Sequence, residues 1–142
     1  MKSLRIALFA GAFILSGCAP QEFASGSCPN TLSGWRTPGE IGHQVPAYFV
    51  TIESNGEILT SLWNGYRMSA VEKTSRQALR QLIQRIPVML PEPIVILKPA
   101  PKASCGDVEA IRAEIDAKLD CKTGRCGEGS GWYELSGMPL IA

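Results

Sequence analysis

The sequence predicts an α+β domain, a small sheet with two helices packed on one face, in the order strand-strand-helix-strand-helix-strand. Three observations predict it. Two runs of β-branched and aromatic residues flank an Asn55-Gly56 pair, two later stretches repeat apolar residues at helical spacing, and a short apolar run bounded by prolines lies between those stretches.

The chain opens with Lys2 and Arg5, continues through the apolar run "IALFAGAFIL" at 6–15 and reaches the small residues Ser16-Gly17. These are the three parts of a secretory signal. A membrane-spanning helix needs about 20 apolar residues, so this run is too short to cross a bilayer. Leu15-Ser16-Gly17-Cys18 resembles the lipobox of bacterial lipoproteins. The resemblance implies that Cys18 is acylated, palmitate included, and becomes the first residue of the mature chain. Ala19 follows it rather than the aspartate associated with inner-membrane retention, which implies the outer membrane, facing the periplasm. An ordinary secretory signal cut near Ala19 or Ala24, with Cys18 incidental, is the competing reading.

Cleavage would leave residues 18–142, which suffice for one domain with a hydrophobic core. The expected organisation is a signal at 1–17, a lipidated tether and loop at 18–46, and the α+β domain at 47–142. Loss of Lys2 and Arg5 turns the formal charge of +1 slightly negative, and no basic run remains to meet nucleic acid.

Residues 19–44 are rich in Pro, Gly, Ser, Thr and Asn and read as tether followed by loop, with Trp35 and Ile41 available to dock on the domain. "AYFVTIE" at 47–53 and "EILTSLW" at 57–63 are strands joined by the Asn55-Gly56 turn, and a second pair, Asn64-Gly65, bends the chain again. Ser69 and Glu72 have capping-box spacing. Val71, Ala78, Leu79, Leu82, Ile83 and Ile86 then share one helical face up to Pro87. "EPIVILKP" at 92–99 suits a buried strand. Ser104 and Asp107 repeat the capping spacing before a stripe of Val108, Ile111, Ile115 and Leu119. "TGRCGEGSG" reads as a mobile loop, and "WYELSGMPLIA" as a last strand.

With Cys18 assigned to lipid, Cys28, Cys105, Cys121 and Cys126 remain, and an even number in an exported chain reads as two disulfides with three connectivities. An intact helix over 105–121 separates its ends by about 24 Å, beyond the roughly 7 Å limit for Cα atoms in a disulfide. Linking Cys105 to Cys126 would need "KTGRC" to run extended back along the helix, against its Thr-Gly pair. Cys28–Cys105 with Cys121–Cys126 is therefore preferred. Zinc is the competing use, but the spacing contains no C-x₂-C pair and His43 is the single histidine. The sequence calls for no metal and no cofactor.

The succession "YFVTIESNGEIL", "NGYRMS", "AVEKTSRQALRQLI", "PIVILKP" and "CGDVEAIRAEIDAKL", in a match spanning roughly 48–126, resembles the periplasmic domain of the ExbD/TolR family of biopolymer-transport proteins. The resemblance implies a peptide- or peptidoglycan-contacting domain, often dimeric, here moved onto a lipid anchor. Family members carry a transmembrane helix with an aspartate that couples to proton flow. Residues 1–17 contain no acidic residue, so proton coupling does not carry over.

Nothing in the chain spells out a reaction. His43 lies in "EIGHQVP" without a G-x-S-x-G elbow, and Glu109, Glu114 and Asp116 read as charges on a helix surface. The glycines of "TGRCGEGSGW" do not match a phosphate-binding loop. Trp63, Tyr66, Trp132 and Tyr133 could serve recognition, with core packing the favoured alternative. Arg67, Arg76 and Arg80 could form a basic face for an acidic partner or for stem-peptide carboxylates, and Arg76 and Arg80 are the expected binding residues. The functional expectation is a non-enzymatic, membrane-anchored envelope lipoprotein that binds a partner protein, peptidoglycan or a second copy of itself. A structural or inhibitor-type lipoprotein with a disulfide-stabilised fold is the alternative.

Overall fold

The structure, a computed structural model, describes residues 28–140. The expected signal segment and Cys18 lie outside the described residues. Among the described residues no helix is long and apolar enough to cross a membrane.

The expected hairpin is present. A two-residue strand, β1 (Glu40–Ile41), precedes β2 (Ala47–Ile52), which pairs antiparallel with β3 (Ile58–Trp63). Asn55 Oδ1 accepts from the amide of Glu57 at 3.0 Å, and Gly56 takes φ +83°, the left-handed conformation that makes Asn-Gly a turn. After β4 (Glu72–Thr74) and α1 (Arg76–Arg85), β5 (Ile94–Pro99) lies parallel to β2. Ile94, Val95, Ile96 and Leu97 are all buried because both faces of this central strand are covered, which is why the run shows no alternation.

The second helix, α2 (Cys105–Lys118), leads to β6 (Cys126–Glu128) and β7 (Tyr133–Glu134). The main sheet has the order β4-β3-β2-β5-β6, while β1 and β7 form a separate parallel pair. Val50, Ile52, Val95 and Leu97 point to the helices and meet Leu79, Ile83, Ile111 and Ile115. On the opposite face Phe49, Ile96 and Trp63 pack with Ile41, Trp132 and Leu140 from the chain segments that carry β1 and β7. The α+β class and the placing of both helices on one face therefore stand. The strand order is richer than expected. Within the second cluster the indole N–H of Trp63 is buried without a hydrogen-bond partner among the described residues.

Three local expectations are corrected. The first helix begins at Ser75, whose hydroxyl accepts from the amide of Ala78 at 3.0 Å, and not at Ser69. Residues 72–74 instead form β4 along β3, where the hydroxyls of Thr60 and Thr74 lie 2.6 Å apart. Ser69 is engaged by that same edge, its Oγ accepting from the amide of Leu62 at 2.9 Å. An uncovered β3 would have exposed a row of backbone donors and acceptors, and this pairing satisfies them. Val71 consequently lies off the apolar face and is exposed. Ser75→Ala is expected to lower stability by about 1 kcal/mol, whereas replacing Glu72 should leave helix content by circular dichroism unchanged.

β4 is also tied to the hairpin by Lys73, which donates to Glu57. That hydrogen bond, reinforced by the lysine charge, holds the Glu57 carboxyl below its ordinary range. Its contribution is therefore present above that range and is lost as acid protonates the group.

Second, the glycine-rich loop contains β6, paired parallel to β5 with Cys126 opposite Val95. Arg36 closes its outer edge, its amide donating to Cys126 O at 2.9 Å and its carbonyl accepting from Glu128 at 3.0 Å. Third, the expected last strand reduces to Tyr133–Glu134 and joins β1 rather than the main sheet. Residues N-terminal to β2 also join the core: Cys28 and Trp35 pack in the helix-side cluster and Ile41 in the other.

Candidate functional site

Arg76 and Arg80 lie one turn apart on α1 because their spacing is i, i+4, and both reach Glu114 on α2. Arg76 Nη2 and Nε lie 3.0 and 3.2 Å from Glu114 Oε1, and Arg80 Nε lies 3.2 Å from the same oxygen. One carboxylate therefore bridges two guanidinium groups, and positive charge remains in excess. The α1 sequence "RQALRQLIQR" contains three arginines and no acidic residue. Arg67, the third expected member of the face, instead lies beyond β3 in the turn held by Asn64, whose Oδ1 accepts the Arg67 amide at 3.0 Å.

Next to this bridge a groove of about 360 Å³ runs between the helices. Ile83, Ala113 and Ala117 give it an apolar lining, and Arg80 and Lys118 stand at its margins. The small alanines keep α2 low there, so the depression persists beside the packed core. Such an arrangement can receive an apolar side chain from a partner while cations meet carboxylates beside it.

A larger concavity, of about 430 Å³, lies where the N-terminal segment crosses β6. At its base stands Arg112, 4% exposed, on the buried side of α2. Its Nε donates to both Glu128 oxygens at 3.1 and 2.9 Å, and its Nη2 to Glu128 Oε1 at 2.7 Å. Nη1 donates to the Pro29 carbonyl at 3.2 Å and Nη2 to the Cys28 carbonyl. Asn30 Nδ2 reaches Glu128 Oε2 at 3.0 Å. With the guanidinium so fully engaged by the protein itself, this cluster is a clamp on the incoming chain rather than a ligand site. The sequence reading missed it. The available signal was a charged residue at 112, directly after Ile111 and within the stripe 108–111–115–119 that faces the core.

The cysteines form Cys28–Cys105 and Cys121–Cys126, the preferred pairing, with Cα separations of 5.6 and 4.8 Å. Cys28, Cys105 and Glu109 lie close enough to suggest a metal set, but the two sulfurs are joined to each other. His43 is largely exposed, its Nδ1 3.6 Å from Glu134 Oε1, and that carboxylate also accepts from Ser136 Oγ at 3.1 Å. Asp116 accepts the Trp35 indole N–H at 3.0 Å. Trp63 and Trp132 are core residues, whereas Tyr66 and Tyr133 are exposed. Compared with protein-family models, curated proteins and solved structures, the chain matches none.

Proposed function

We propose that this chain is a lipid-anchored cell-envelope protein, held on the outer membrane through acylated Cys18 and facing the periplasm, that acts as a non-enzymatic interaction module. The lipobox-like Leu15-Ser16-Gly17-Cys18 supports the anchor. A domain of the ExbD/TolR kind, working beside a transport motor or peptidoglycan, remains part of this reading through the order of its sequence segments. The observation that carries the binding role is the α1–α2 face, where Arg80, on a helix without acidic residues, and Lys118 flank an apolar groove. The partner it fits is a segment that offers an apolar side chain to the groove and carboxylates to Arg80 and Lys118. A disulfide-stabilised structural or inhibitor-type lipoprotein is the second reading, favoured by the two bridges. The Cys121–Cys126 loop, however, closes as one tight turn with both sulfurs buried.

Photo-crosslinking in intact cells tests the proposal, with the crosslinking residue placed at Ala117. The expected product is a partner adduct recovered with the membrane fraction, reduced about tenfold or more by Arg80→Glu or Lys118→Glu. Equal yields from Ala117 and from exposed Tyr66, or no response to charge reversal, would overturn the binding face. An adduct found only in the soluble fraction would overturn the anchor.

A further inference from the structure

The two disulfides sit in different chemical settings. Cys121 and Cys126 are 2% and 0% exposed, so an external thiol has no path to either sulfur without local opening. Cys28 is equally hidden at 3% exposed, but its partner Cys105 occupies the first position of α2 and is partly open to solvent.

Charge distinguishes the two sulfurs of this bridge. Arg112 Nη1 points an N–H at Cys28 Sγ from 3.6 Å, while the Glu109 carboxylate lies 3.6 Å from Cys105 Sγ. A thiolate leaving on Cys28 would meet a donor from a cation, whereas one leaving on Cys105 would meet the free amides of the α2 start but also the Glu109 anion. Thiol–disulfide exchange favours attack on the accessible sulfur and departure of the better-stabilised thiolate. Access selects Cys105 for attack, and because Glu109 offsets the helix start at Cys105, the Arg112 donor selects Cys28 as the leaving sulfur.

We infer that Cys28–Cys105 is an exchange-competent disulfide whose reactive sulfur is Cys105, open to a dithiol of the thiol–disulfide oxidoreductase class, and that Cys121–Cys126 is inert. In the first step a thiolate of the dithiol attacks Cys105 Sγ. A new S–S bond forms, the Cys28–Cys105 bond breaks, and its electron pair leaves on Cys28 Sγ beside Arg112. In the second step the other thiol of the dithiol loses its proton and attacks the dithiol's own sulfur in the mixed disulfide, releasing Cys105 as a thiolate. The dithiol is oxidised by two electrons, the protein bridge is reduced, and the two released thiolates take up the protons. Residues 28–30 then remain on the domain through the Arg112 and Glu128 hydrogen bonds, which do not involve the S–S bond.

Graded dithiothreitol on the native protein, followed by alkylation and peptide mapping, reads the order of opening. Cys28 and Cys105 should be labelled at a reductant concentration about tenfold or more below that needed for Cys121 and Cys126. Glutathione in excess should form its mixed disulfide on Cys105 in preference to Cys28. The exposed Glu109→Gln removes the repulsion felt by the incoming thiolate and should speed opening about two- to threefold. Simultaneous opening of both bridges, glutathione trapped on Cys28, or unchanged kinetics in Glu109→Gln would each overturn the assignment.

Discussion

Arg112→Met is expected to lower the unfolding free energy by about 3–5 kcal/mol, measured by urea denaturation with both disulfides intact. The substitution leaves the methylene stem roughly in place and removes the guanidinium. Glu128, whose side chain is 14% exposed, then keeps a charge in a poorly hydrated place with Asn30 as its remaining side-chain donor among the described residues. The carbonyls of Cys28 and Pro29 lose their donor as well. The cost comes from the stranded partners, not from the intrinsic strength of the ion pair. Arg112→Met combined with Glu128→Leu should therefore recover much of the loss, because removing both charges also removes the desolvation penalty. Arg76→Met is the control. Its ion pair with Glu114 is partly exposed, and about 1 kcal/mol or less is expected. Equal effects of Arg112→Met and Arg76→Met would show that the clamp does not hold the N-terminal segment.

Trp132→Ala is the second large effect, about 3–5 kcal/mol. Trp132 is completely buried and belongs to the cluster that covers the face of the sheet turned away from the helices. Its indole N–H donates to Gly129 O at 3.0 Å, and the Arg36 guanidinium lies 5.5 Å from its ring centre. The ring lies directly against β6, where a Cβ on Gly127 would come within 2.5 and 2.6 Å of two ring carbons. Gly127→Ala should consequently push the indole outward and cost about 1–3 kcal/mol, visible as a shift in tryptophan fluorescence. A loss below about 1 kcal/mol in Trp132→Ala would mean that the β1–β7 segments cover the sheet only loosely.

The parts of the fold legible in the sequence are those whose signals are local. Asn55-Gly56 between two strand-like runs marked the β2–β3 hairpin, and Ser104 with the 108–111–115–119 stripe marked α2. The preferred disulfide pairing rested on the length of that helix, which excludes Cys105–Cys121, and on the short Thr-Gly return, which disfavours Cys105–Cys126. Where reading failed, a local signal competed with a non-local one. Ser69 and Glu72 have the spacing of a cap, but the open edge of β3 recruited residues 72–74 as a strand and left the cap to Ser75. β6 is Cys-Gly-Glu, with no strand preference of its own. It is a strand because β5 offers an unpaired edge, Cys121 ties it down, and Gly127 leaves room for Trp132.

The candidate sites divide in the same way. The excess of arginine on residues 76–85 was readable from composition, and i, i+4 spacing placed Arg76 and Arg80 together. That Glu114 bridges them, and that a groove opens beside Ala113 and Ala117, depended on how α2 lies against α1. Arg112 was legible only as a charge on a buried stripe, because its partners at Cys28, Pro29 and Glu128 are distant along the chain.

By itself, then, the sequence determined the α+β class, the hairpin, the central buried strand and the second helix, and it narrowed the pairing of the two bridges, since turn chemistry, apolar period and chain geometry act over a few residues. Tertiary structure alone decided which segments close the sheet edges, which covers its second face and which charge is buried, because backbone pairing and desolvation depend on neighbours that meet only when the chain has folded.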